Sequence, residues 1–262
     1  MRRAQLEVCV DTAAGLASCQ QAGVDRIELC SALVVGGLTP SRGFMQLAGS
    51  RIRPELAAGQ DTQSARYQDN VEGSRPKIMA MIRPRAGHFC FSELEVQCMC
   101  DDIEAARRAG LDGVVLGAAT ATGTLDLPVL SRLCQVAEGM QLTLHRVIDL
   151  LDDPLLAMDQ AIDLGFNRIL TSGGAVTVSA GLLQLTEMQK YAAQRIQIMA
   201  GAGLTPALAR LIRAETGIEA FHASCRHAAV SDDRLSPFGF GDNEGGVDPG
   251  LIEQYRGSLA DV

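Results

Sequence analysis

The sequence has no Cys-x-x-Cys pair, although eight of its 262 residues are cysteines. That absence removes zinc-ribbon and thioredoxin-like readings. The cysteines are also too thinly spread for a small disulfide scaffold. Positive charge is not in excess: the formal net charge is −8. A nucleic-acid or anionic-membrane binder would want a basic face, so neither partner is expected. No apolar run reaches the ~18 residues of a membrane-crossing helix. The start, Met1-Arg2-Arg3, is basic, but Glu7 interrupts the apolar run behind it, so no signal peptide is expected. The nine methionines are scattered and form no Met-x-x-Met array, which leaves a methionine copper box unsupported. Together these absences predict a reduced, cytoplasmic protein.

What is present is a rhythm. Short apolar, β-branched runs cover residues 5–10, 26–30, 77–82, 113–117, 141–145, 168–172, 197–202 and 219–224. Amphipathic stretches lie between them, for example 12–22, 92–109, 128–138, 154–164, 179–193 and 206–214. Gly23, Gly110 and Gly165 follow helix ends, where a left-handed cap is wanted. Pro128, Pro154 and Pro206 suit first turns. Strand–helix alternation argues a parallel sheet, and eight units argue a closed (β/α)8 barrel, one domain over residues 1–262. An open doubly wound sheet is the alternative, but its Gly-rich turn is missing after the first strand, which runs into Val10-Asp11-Thr12. Residues 55–75 read as a polar exposed insertion, and 231–249 as a long final loop.

Two-residue periodicity sets strand faces. Leu6, Val8 and Val10 should face the helices, which turns Glu7 and Cys9 into the barrel; Glu28 and Cys30 follow on the next strand. Arg83, Thr143, His145, His222 and Ser224 are the next inward candidates. Buried carboxylates need a partner or a proton. Glu7 and Glu28 therefore form either an ion-pair network, neutralised by Arg83 or another cation, or a general acid/base pair. His145 and His222 end strands, on the face where barrel enzymes place their chemistry.

Arg83 and Arg85 flank Pro84 on a stiff turn suited to a carboxylate or phosphate. Backbone N–H groups at Gly201 and Gly203 could cradle an anion, with Ser172 and Ser224 adding donors. Cys9 and Cys30, on neighbouring strands, either pack as small hydrophobes or present two thiolates to a soft cation such as Cu(I).

A series of motifs carries a resemblance. It includes Leu6-Glu7-Val8-Cys9, Asp25-Arg26-Ile27-Glu28-Leu29-Cys30, Gly36-Gly37-Leu38-Thr39-Pro40-Ser41 and Met81-Ile82-Arg83-Pro84-Arg85-Ala86-Gly87. It continues through Leu144-His145-Arg146 with Asp149, Leu170-Thr171-Ser172-Gly173, Met199-Ala200-Gly201-Ala202-Gly203 and His222-Ala223-Ser224. This ordered series resembles the CutC family of copper-homeostasis proteins. The resemblance implies a TIM-type barrel, a cytoplasmic setting and a link to copper, with Cu(I) on Cys9 and Cys30. Residues 55–75 are longer than the family's usual connection, and the segment after Ser224 matches weakly.

Two functions are therefore expected as alternatives. One is copper handling through Cys9 and Cys30. The other is a barrel enzyme acting on a small anionic or phosphorylated metabolite, with Glu7 and Glu28 as acid and base, Arg83, Arg85 and the Gly201–Gly203 turn holding the anion, and His145 and His222 assisting proton transfer. A homodimer or higher homo-oligomer is expected in either case.

Overall fold

The computed structural model describes residues 3–52, 75–227 and 245–260. The expected insertion and most of the expected final loop lie outside the described residues. Eight strands, β1 (Gln5–Val10), β2 (Arg26–Leu29), β3 (Lys77–Met81), β4 (Gly113–Leu116), β5 (Gln141–Leu144), β6 (Arg168–Thr171), β7 (Gln197–Gly201) and β8 (Ala220–Ala223), close into a parallel barrel in chain order. The predicted (β/α)8 barrel is therefore the observed fold.

The helices are α1 (Ala13–Ala22), α2 (Arg42–Ile52), α3 (Glu93–Arg108), α4 (Leu127–Val136), α5 (Pro154–Asp163), α6 (Leu182–Ala192), α7 (Pro206–Thr216) and α8 (Pro249–Ala260). Their starts follow from side-chain capping. Thr12, Ser92, Asp126, Asp153 and Thr205 each accept a hydrogen bond from a backbone N–H of the first turn. Gly23 stops α1 at φ 65° and returns its N–H to the helix's last carbonyls. None of the helices is long and apolar enough to cross a membrane among the described residues.

Strand periodicity divides the interior in two. Leu6, Val8, Val10, Ile27 and Leu29 point outward into a continuous apolar layer beneath the helices. The opposite faces fill the lumen. There, Cys9, Cys30, Met79, Met81 and Val115 form one small apolar cluster, and Leu170, Met199 and Ala220 another. Between these clusters runs a buried polar network, unusual where branched aliphatics normally fill the layers.

Candidate active site

The barrel register assembles the network. Glu7 on β1 stands level with Arg26 on β2 and with His222 on β8. Arg26 Nε donates to Glu7 Oε2 at 2.5 Å, and His222 Nδ1 lies 2.8 Å from Glu7 Oε1. Burial would raise the pKa of Glu7, but Arg26 and His222 together bring it down to about 2. Arg26, not Arg83, supplies the neutralising cation. Below it, Arg168 donates to Thr143 Oγ1 at 3.0 Å and to the Gln141 side chain at 2.9 Å. Glu7 is fully buried, with one carboxylate oxygen on Arg26 and the other facing His222.

One strand over, Glu28 has the opposite fate. Its Oε2 sits 3.7 Å from His222 Nε2, while Oε1 is buried without a hydrogen-bond partner. Burial, opposed by the nearby His222 and reinforced by Glu7, pushes its pKa up to about 7. His222 itself is held well above the usual imidazole range: burial opposes its charge, but Cys9, Glu7 and Glu28 outweigh burial. The lumen thus holds two carboxylates of like type with opposite shifts, Glu7 down to about 2 and Glu28 up to about 7.

Glu28 and His222 line a cavity of about 460 Å3 at the carboxyl ends of the strands. Arg83, Phe89, His145, Ala202, Gly203, Ser224 and Cys9 share its wall. Arg83 follows β3 in the loop. Its Nη1 donates to the carbonyls of Val35 and Gly37, at 2.8 and 3.1 Å, and its Nη2 to Gly87 at 2.9 Å. Its Nε is buried without a partner. The guanidinium stacks over Phe89, 4.9 Å from the ring centroid, and Phe89 lies 4.8 Å from the ring of His145.

His145 begins a short 3-10 turn, Arg146–Leu150. The Val147 N–H donates to its Nδ1 at 3.2 Å, which fixes the ring proton on Nε2. Burial and then Arg83 push its pKa down to about 3, so the imidazole is neutral. That Nε2 is also buried and unpartnered. Gly117 makes room for the ring: a Cβ there would stand 2.6 Å from His145 Cε1. Ala202 and Cys225, both on the wall, hold left-handed backbone at φ 85° and 45°, a strain of ~1–3 kcal/mol each that the surrounding packing sustains.

The expected anion cradle is differently arranged. Arg85 is not on the cavity wall; it pairs with Glu95 and donates to the carbonyls of His88 and Cys90. Ser172 is also taken. The Asp149 carboxylate accepts from Ser172 N at 3.1 Å, Ser172 Oγ at 2.9 Å and Gly174 N at 3.0 Å, so the turn after β6 already encloses an internal anion. Gly203 and Ser224 do line the cavity, and Gly201 ends β7 just below them.

Cys9 lines the cavity, whereas Cys30 packs behind it against Gly37 and Met81. Burial, Glu28 and Cys9 drive the Cys30 thiol well above its ordinary value. The ligand atoms that approach one another are those of Cys9, Glu28 and His222, all within 4.8 Å. That mixed set resembles a three-ligand zinc site more than a two-thiolate copper site.

Comparison with known proteins agrees with this architecture. The CutC family model matches residues 4–227. The chain belongs to the CutC family. A family protein CutC from Rhizobium meliloti (strain 1021) is 44% identical over 241 residues, covering 92% of this chain and 89% of the relative. Another from Caulobacter vibrioides (strain NA1000 / CB15N) is 40% identical over 261 residues, 99% of this chain and 96% of the relative. Among solved structures, CutC from Streptococcus agalactiae superposes with a TM-score of 0.72 at 29% identity, covering 84% of this chain and 98% of that one.

Sequence reasoning missed several contributors to this CutC-family site. Arg26 and Arg168 share the inward parity of Glu28 and Leu170, a signal that was available. Phe89 belongs to the motif that follows Gly87, but its place between Arg83 and His145, the room that Gly117 leaves and the unpartnered state of single atoms depend on contacts across the fold.

Proposed function

We propose that the chain is a barrel enzyme that transfers a proton on a small, oxygen-bearing metabolite held in the mouth cavity. One observation carries this reading. Three buried polar atoms without partners, Glu28 Oε1, Arg83 Nε and His145 Nε2, belong to residues lining the same cavity. Leaving a buried polar group unpaired costs ~1–3 kcal/mol, and a ligand that pairs it recovers that cost. Glu28 is the proton-carrying group, with a pKa of about 7 that suits acid and base roles near neutrality. Arg83 and His145 are donors to substrate oxygen. His222 is the cation beside Glu28, and Glu7 with Arg26 positions it.

The test is incubation of a deproteinised metabolite extract with wild type and with Glu28→Gln, read by mass spectrometry. At least one metabolite should be consumed by wild type and spared by the variant. An extract untouched by wild type, or altered equally by both proteins, would overturn the reading.

A second reading, Cu(I) handling, draws on the lumen cluster in which Cys9 and Cys30 sit with Met79 and Met81. Thiolate and thioether sulfur suit that soft ion, and the Streptococcus agalactiae relative is described as a copper-homeostasis protein. Anaerobic Cu(I) titration of wild type and the Cys9→Ser/Cys30→Ser variant against a competing chelator tests it. Tight one-to-one binding lost in the variant supports it; binding unchanged in the variant sinks it. A cytoplasmic setting accords with all eight cysteines being free thiols. The homo-oligomer expected from the sequence is open to sedimentation.

A further inference from the structure

One guanidinium on the cavity wall, that of Arg83, is buried and has no carboxylate partner among the described residues. Resting on the reading of that cavity as the substrate site, we infer that the substrate carries a carboxylate, gripped by the unspent N–H groups of Arg83.

Arg83, Arg146 and Arg226 all line the cavity. Arg146 pairs with Asp149, and Arg226 with Asp11. Arg83 is the exception. It is 6% exposed, and its side chain meets only neutral groups, the carbonyls of Val35, Gly37 and Gly87 and the face of Phe89. Carbonyl dipoles and an aromatic face offset part of the cost of burying a cation, but no opposite charge completes the compensation. Burial, and then Arg85, push the Arg83 pKa down, the direction for a cation short of a counter-charge.

A guanidinium carries five N–H groups. Arg83 spends two from Nη1, on Val35 and Gly37, and one from Nη2, on Gly87. One Nη2–H is left beside the Nε–H, and Nε is buried without a partner. Two neighbouring N–H groups in one plane match the two oxygens of a carboxylate. Further donors stand near. His145 Nε2 is unpartnered too, on a ring that packs against the same Phe89. Arg146 uses Nε and Nη2 on Asp149, Ser172 and Ala175 and keeps Nη1 uncommitted.

A phosphate asks for more than this supply. It draws on a cradle of backbone N–H groups. A cradle of that kind, the turn after β6, is already filled, because the Asp149 carboxylate accepts from Ser172 N and Gly174 N. His145 is neutral, so the unmatched charge beside Phe89 is that of one guanidinium. A flat, singly charged group with two oxygens in its plane fits it. Such a group would supply the missing counter-charge and hold the rest of the substrate in one pose.

The test is an NMR titration of isotope-labelled, EDTA-treated protein, read at the arginine Nε–H signals, with that of Arg83 assigned by through-bond correlation. The probes are lactate, its uncharged amide lactamide, and inorganic phosphate. Lactate should shift the Arg83 Nε–H signal saturably and bind at least about ten-fold more tightly than lactamide, the difference that a charge-assisted hydrogen bond makes. Phosphate should bind more weakly than lactate. Arg83→Lys, which keeps the charge and loses the planar fork, should weaken lactate about ten-fold. A thermal melt checks that this variant folds, and the three probes on wild type decide the matter without it. Lactamide as tight as lactate, tighter binding of phosphate, no saturable shift, or lactate bound with the Arg83 signal unmoved would overturn the inference. So would lactate binding that appears only after Zn2+ is added, since that would assign the carboxylate to an ion on Cys9, Glu28 and His222. Failure here is separable from failure of the acid–base reading. Lactate held at Arg83 by a protein that leaves the metabolite extract untouched supports the carboxylate site and sinks the acid–base reading. A metabolite consumed by wild type, spared by Glu28→Gln and lacking a carboxylate does the reverse.

Discussion

The middle of the lumen and its mouth are built from the same residue types and solve opposite problems. In the middle, Glu7 has Arg26 on one oxygen and His222 on the other, and Arg168 below is satisfied by Thr143 and two glutamines. At the mouth, Glu28, Arg83 and His145 each keep an atom unpaired. Burial is nearly equal: Glu7 is 0% exposed and Glu28 is 2%. Burial alone therefore does not divide structural from functional carboxylates. The division comes from whether the neighbouring strand supplies a partner at the same level.

The largest expected effect breaks the saturated region. Arg26→Ala would leave Glu7 charged and buried, and removing one member of a buried pair costs ~3–5 kcal/mol. Urea unfolding would measure the loss; a change within error would show that the network carries no stability. The acid side of the same network has a definite sign. Glu7 has a folded pKa of about 2, below the ordinary 4.5. Its contribution is present above pH 4.5 and is lost as pH falls towards 2. Glu7→Gln should flatten that acid-side decline.

Next in size is Asp149→Ala. The turn after β6 would lose a carboxylate that accepts from Thr171, Ser172 and Gly174, and the expected cost is ~2–4 kcal/mol. Asp149→Asn, which keeps part of the bonding, should cost less. Equal losses would mean that the turn is held by its glycines and not by the anion it encloses.

A smaller effect targets the mouth. Gly117→Ala puts a methyl into the His145 ring, and overpacking of this kind costs ~1–3 kcal/mol. Because the ring must shift, turnover of any metabolite that wild type consumes should fall along with stability. Lost stability with unchanged turnover would detach His145 from the proposed site.

How much of this was legible beforehand follows from the same contrast. The eight runs with Pro and Gly punctuation specified a closed barrel, because local capping and two-residue periodicity are local properties. Periodicity also turned Glu7, Cys9, Glu28 and Cys30 inward, as the lumen clusters and buried network bear out. It could not rank Glu7 against Glu28, since their partners lie on other strands: His222 is 215 positions from Glu7 in the chain. The same limit applied to Arg85 and Ser172. Their residue types suit anions, but Glu95 and Asp149 reach them first.

The sharpest test of the comparison starts from no difference at all, near pH 4.5. Glu28→Gln removes a carboxyl that folding makes harder to ionise, with a folded pKa of about 7 against 4.5. Between those values the folded protein holds a proton that the unfolded chain has released. Wild-type stability owed to this group is therefore greatest below pH 4.5 and declines as pH rises towards 7. Glutamine mimics the protonated form, so the variant should match wild type near pH 4.5 and gain on it steadily up to pH 7.5. The Glu7→Gln difference should run the other way and over a lower range, growing as pH rises from about 2 to 4.5 and constant above that. Thermal melts of both variants from about pH 2 to pH 7.5 decide the matter. Parallel curves would mean that the two carboxylates share one environment, and the mouth would lose its claim to be the reactive end.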